Sequence, residues 1–180
     1  MKKILTLLLV MAMVMTGFTA CGSGNEGEAG GNAAGSVEGT PAEIIEKIYE
    51  QHPVADLPLG TIEIDLADAD AVKMFTGLDS ADKIDSAAAS ESMMGAQAYS
   101  LVVVRVKDAA DAASVAEEMM NGIDQRKWIC VEADDLRVAA AGDVVVLMMV
   151  SSQHADVVTA EGIIGGFEAV AGALDLNETK

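Results

Sequence analysis

Eleven methionines, two cysteines and two histidines are the residues of this 180-residue chain with the most obvious ligand or nucleophile chemistry. His52 and His154 have no cysteine, histidine or carboxylate at metal-ligand spacing on a shared face, and no G-x-S-x-G segment seats a serine nucleophile. Asp65, Asp68 and Asp70 invite a calcium reading, but the glycine and the later glutamate that such a loop needs are missing. A strand end followed by a helix cap accounts for all three. The methionine pairs Met93-Met94, Met119-Met120 and Met148-Met149 carry thioethers suited to Cu(I). Core filling accounts for Met119 on an apolar helix stripe and for Met148-Met149 inside an apolar strand, which leaves Met93 and Met94 as the soft-metal candidates. Cys130 stands among Trp128, Ile129 and Val131 and is expected to pack as a small apolar side chain, unreactive through desolvation, with a nucleophilic role as the alternative. No catalytic residue, resident metal or cofactor is expected.

Cys21 belongs to a different chemistry. Lys2 and Lys3 precede an apolar run from Ile4 to Met15, interrupted by Thr6 and Ala12, and small residues lead on to the cysteine. The run is too short to span a bilayer and reads as an export signal. Its end, Phe18-Thr19-Ala20-Cys21, resembles the lipobox of bacterial lipoproteins, with Phe18 where leucine is usual. The resemblance implies cleavage between Ala20 and Cys21 and acylation of Cys21, the alternative being an ordinary secretory signal. It also implies attachment to the outer face of the cytoplasmic membrane.

Removing residues 1 to 20 takes away two of 11 basic residues and none of 29 acidic ones, leaving nine against 29, a net charge of −20. Such a chain repels nucleic acid and anionic lipid, so acyl chains must supply the membrane attachment. The acidity reads as a solvated surface or, alternatively, as attraction for cations or basic wall polymers. Residues Gly22 to Thr40 contain seven glycines and one sizeable apolar residue, Val37, and read as a flexible tether of roughly 24 Å. Within it, Gly22-Ser23-Gly24-Asn25-Glu26-Gly27 matches a dinucleotide fingerprint by chance, with no strand before it and no helix after it.

These side chains need a scaffold, and the rest of the chain supplies its signals. Thr40-Pro41-Ala42-Glu43 predicts a capping box and a helix to about Gln51 with Ile44, Ile45, Ile48 and Tyr49 on one face. Thr61 to Leu66 alternates as a strand, and Asp68 caps a short helix to Phe75 that stops at Gly77. From residue 82 a strand-strand-helix unit recurs at an offset of 44: Ile84 to Ser90, Ala98 to Val106 and a helix near 111–126, then Leu136 to Ala140, Val144 to Val150 and a helix near 155–174. Glu161 and Glu168 make the last helix amphipathic rather than membrane-spanning, and Gly162 with Gly166 predicts close approach to a strand.

The Phe75-Thr76-Gly77-Leu78-Asp79 turn, Met93-Met94 ahead of a strand, Gln125-Arg126-Lys127 late in the long helix, and the closing hairpin and helix resemble a family of small Gram-positive lipoproteins that carry a single domain of unknown function. The resemblance spans about Pro41 to Phe167 and implies location and architecture, with no activity, ligand or catalytic residue. The expectation is a signal peptide over 1–20, a lipidated tether over 21–40 and one α+β domain over 41–180. Its antiparallel sheet has the helices of the two units on one face, and the segment Pro41 to Leu78 covers the other. The expected role is a monomeric, non-enzymatic binding or interaction module of the cell envelope, recognising a protein or solute. An extracytoplasmic enzyme and a soft-metal or small-solute binder stay open as alternatives.

Overall fold

Thr40 does what its position predicts. Its hydroxyl accepts from the Glu43 amide at 3.3 Å while the Glu43 carboxylate accepts from the Thr40 amide at 2.8 Å, which starts helix α1 (Pro41–Gln51). Strand β1 (Leu59–Glu63) follows, then helix α2 (Ala69–Thr76), capped by Asp68 and ended by Gly77 at φ +78°. The predicted strand over 61–66 is displaced toward the N-terminus because Asp65 accepts the Ala67 amide at 2.9 Å and turns the chain away from the sheet. The remaining elements are β2 (Ile84–Ser92), β3 (Tyr99–Val106), α3 (Ala112–Gly122), β4 (Asp135–Ala141), β5 (Val144–Val150), α4 (Ala160–Ala171) and β6 (Leu176–Thr179). This computed structural model describes residues 37–180, all in one compact unit, so Ala20, Cys21 and the tether as far as 36 lie outside the described residues.

The α+β expectation holds: six antiparallel strands in the order β1-β2-β3-β5-β4-β6 form one open sheet with four helices. Both strand-strand-helix units are present. Gly142, at φ +57° in the first position of a two-residue turn, joins β4 to β5. Strands β3 and β5 pair along their length at the centre, Val103 opposite Val146, and nearly every side chain on them is buried. Alternation splits this core into two clusters. Val102, Val104, Leu136, Val145, Leu147 and Met149 point to one side, and Leu101, Val103, Ala139, Val146, Met148 and Val150 to the other.

The helices of the two units do not share a face. Val115, Ala116 and Met119 of α3 pack with the first cluster, whereas Ile163, Ile164 and Phe167 of α4 pack with the second. The reason is β6, a strand that the reading of the sequence left out. Strands β3 and β4 are parallel with β5 between them, and β5 and β6 are parallel with β4 between them. Both helices are therefore crossovers that step the same way across the sheet from antiparallel strands. Two crossovers of one hand must then lie on opposite faces. The N-terminal segment is divided in consequence: Ile44, Ile45 and Ile48 of α1 complete the α4 face, and Val72 of α2 joins the α3 face.

Two smaller differences have equally local causes. Gly162 and Gly166 admit a helix, not a strand: a Cβ at Gly162 would lie 2.6 Å from the His52 ring, and one at Gly166 would lie 3.1 Å from the Ile48 carbonyl of α1. Val37, read as tether, is buried in the α1–α4 face, and Arg105 holds it by donating to the Val37 and Gly39 carbonyls at 2.7 Å each. The packed domain thus begins at or before Val37. No helix among the described residues is long and apolar enough to cross a membrane.

Candidate functional site

Strands β2 and β3 set Glu91 opposite Ser100 on the α3 side of the sheet, since Glu91 alternates with Ala87 and Ala89, and Ser100 with Val102. Above them stands Lys127, from the loop after α3. Its ammonium is ion-paired with Glu91, 3.3 Å from the Ser100 hydroxyl and 5.2 and 5.3 Å from the ring centres of Phe75 and Trp128. Ser100 donates to the same Glu91 oxygen at 2.7 Å. The Lys127 side chain is 10% exposed, and burial pulls its pKa down while Glu91 opposes the shift.

A lysine of lowered pKa beside a serine hydroxyl suggests a Ser–Lys nucleophile pair. Burial and bonding argue against that use: Ser100 is fully buried, and its proton is directed at Glu91 rather than at Lys127. The arrangement instead ties β2, β3, α2 and the loop together through one cation. The loop is closed at its neck, where the Gln125 side chain donates to the Ala133 carbonyl at 2.6 Å and the Ala133 amide to the Gln125 carbonyl at 3.0 Å. Arg126 and Glu132 pair at 2.9 Å one step further out. This is a compact loop with its ends together.

Its tip is Trp128-Ile129-Cys130. Cys130, expected to be buried, is exposed and has φ +65°, and Ile129 is 82% exposed. The apolar run that suggested burial is no strand, because the closed neck forces it to turn outward. Met93 and Met94 fall in the β2–β3 hairpin, 74% and 53% exposed, while Met119, Met148 and Met149 are buried. The exposed methionines of the three pairs therefore come from one pair, and among the described residues no group of three or more His, Cys, Asp or Glu is placed to hold a metal. Asp68 accepts from the Asp70 and Ala71 amides, as a helix cap does.

Among the described residues the exposed large apolar side chains are Ile62, Met74, Met93, Met94 and Ile129. Ile62 pairs with Ala89 and Gly60 with Glu91, so both face the α3 side. A Cβ at Gly60 would lie 3.4 Å from Met93, which places Met93 over β1 on that same side. Met74 belongs to α2, and Ile129 to the loop whose Trp128 and Val131 pack on the α3-side core. Sequence reasoning found Met93 and Met94 but missed Glu91 and Ser100; the signal available was a glutamate directly after the Ala/Ser run of strand β2. The Phe75 turn and the Gln125-Arg126-Lys127 segment, far apart in the chain, meet here, and the Met93 pair follows Glu91 by two residues.

Beside this region a cavity of about 480 Å³ opens between α2 and α3, lined by Lys73, Leu78, Asp79, Glu117, Glu118 and Asn121. Lys73 lies in it, donating to Asp79 at 2.7 Å and to the Gly77 carbonyl at 3.0 Å. Its lysine is already paired. No protein-family model, no curated protein and no solved structure matches this chain.

Proposed function

We propose that the chain is a lipid-anchored extracytoplasmic protein whose domain is a non-catalytic interaction module, and that the module binds through the surface around Lys127. The observation that carries the reading is the one-sided placement of apolar exposure: Ile62, Met74, Met93 and Ile129 all belong to the α3 side, with Met94 beside them at the hairpin. An apolar surface of this kind on a domain this acidic is costly unless something covers it. The Lys127–Glu91 pair supports the reading by holding the loop tip in place without joining a reaction. Position supports it too. Val37 is clamped at Arg105 and the Lys127 cluster sits at Ser100, the two ends of β3, about 17 Å apart at the usual rise per residue. A chain tethered through residues preceding Val37 presents the surface away from its anchor.

Two measurements test this reading. Replacing Cys21→Ala is expected to abolish fatty-acid labelling and to release the protein from membranes or leave its signal uncleaved; a wild type that takes up no label ends the anchor. Photo-crosslinkers at Met93 and at Ile129 are expected to form adducts in intact cells, and one at Glu46, exposed on α1, is not. Equal yields at the three positions, or none, overturn the interaction surface.

A further inference from the structure

We propose that the partner of this surface is a basic amphipathic helix, seated over β1 beside α2; the proposal rests on the interaction reading above and adds the class of ligand. A sheet face is closed by a layer of helices. On one face α1 and α4, 11 and 12 residues long, meet along Gly162 and Gly166. On the other, α3 has 11 residues but α2 only eight, and Ile62 of β1 is 48% exposed beneath no helix of the described residues. The uncovered strip is bounded by β1 and α2, five and eight residues long, or roughly 16 and 12 Å, which two to three turns of helix span.

The walls define the chemistry of the occupant. Met74, Met93 and Ile62 offer apolar contact, and methionine side chains adapt to differently shaped partners. At the far end of the strip the β1–α2 connection carries Asp65 and Asp68 and the first turn of α2 carries Asp70, none of which has an ion-pair partner among the described residues. Asp70 lies one turn before Met74 on α2, on the same side of that helix. The described domain as a whole has nine basic and 27 acidic residues. An apolar helix stripe flanked by lysine or arginine satisfies both requirements, whereas an acidic helix meets repulsion along its length.

The test uses the chain from Gly22 to Lys180, which retains both core clusters, with ¹³C-labelled methionine methyls. The probe is an amphipathic leucine–lysine peptide of about 14 residues, and the control replaces its lysines with glutamate. The lysine peptide is expected to shift the Met74, Met93 and Met94 methyl signals and to leave those of Met119, Met148 and Met149 in place. The double variant Ile62→Ser/Met93→Ser, altered only at exposed positions, is expected to bind the peptide about tenfold more weakly, although it keeps every charge. No methyl shift, equal binding of the glutamate peptide, or unchanged affinity of the double variant each overturns the proposal. Such a failure alongside crosslinks at Met93 and Ile129 in cells removes only the helix class; missing crosslinks remove the interaction reading itself.

Discussion

On the sheet face that carries Leu101 and Val103, two helices meet through glycines and bury Ile44, Ile45, Ile48, Ile163, Ile164 and Phe167 against the sheet. On the opposite face a short helix and a longer one approach each other where Gly77 meets Gly122, and a loop held by Lys127 fills part of the remainder. The first face is closed mainly by shape: Ile48 and Phe167 are fully buried, the Tyr49, Ser90 and Tyr99 hydroxyls bond to one another at 2.8 and 2.9 Å, and the Arg105–Asp143 and Arg137–Glu161 pairs stand at its margins. The second is closed partly by charge, with one ammonium bridging three elements. The same sheet thus supports one cover of two helices packed through glycines and another positioned in part by a buried lysine, and exposed apolar surface occurs with the second.

Removing Phe167 tests the packed face most severely. Phe167→Ala is expected to cost about 3–5 kcal/mol in urea unfolding, with loss of protection in both α1 and α4. On the other face Gly77→Ala is expected to cost about 3 kcal/mol, because the new Cβ would overlap the Ile123 amide from a backbone at φ +78°. Hydrogen exchange should then rise in α2 before α1. Glu91→Gln leaves Lys127 buried without its anion and is expected to cost about 2 kcal/mol, moderated by the 24% exposure of the carboxylate; adding Lys127→Met should recover most of the loss. Full stability of the single variant would mean that the ion pair does not hold the loop.

Alkali separates the faces by sign. Burial raises the Tyr99 pKa well above its ordinary 10.0, and burial raises that of Tyr49 as well, so unfolded tyrosines ionise first. Their stabilising contribution is complete below pH 10.0 and falls as the pH rises beyond it. Lys127 has the opposite sense: its pKa lies below 10.5, so the cost of burying its charge is relieved as the pH climbs toward that value. Tyrosinate absorbance is expected to rise together with loss of structure in the wild type, and Tyr49→Phe/Tyr99→Phe should flatten the alkaline fall in unfolding midpoint. The smallest effect belongs to the loop tip, where Ile129→Ser should change stability by no more than about 0.5 kcal/mol while removing the crosslinks formed nearby.

Much of the scaffold was legible because it is local. The Thr40 box, the Asp68 cap, the Gly77 stop and the Gly142 turn are each dictated by a few adjacent residues, and all appear where the sequence places them. Strand β2 was readable despite its alanines, whose small side chains let helices lie close to the sheet. The distribution of helices over the two faces was not readable, because it follows from strand order, and strand order depends on β6, whose Leu176-Asn177-Glu178-Thr179 has little apolar pattern. Of the site, Met93 and Met94 were visible as a pair without an evident core role. Lys127, Glu91 and Ser100 meet across 27 and 36 residues of chain, and no spacing rule reaches that far. Cys130 was misjudged because an apolar sequence context resembles burial until a loop neck turns it outward.

The Arg105 clamp has a mechanical consequence. Tension on the chain preceding Val37 is resisted first by the two carbonyls that Arg105 holds, by the Val37 side chain seated in the core and by Lys47, which donates to the Glu38 carbonyl at 2.8 Å. Arg105 is itself braced by Asp143 on the neighbouring hairpin, and its strand is bonded on both sides. A pull therefore loads the middle of the sheet before it can peel α1 from its N-terminus, so the domain resists force from its tether at its most strongly bonded strand.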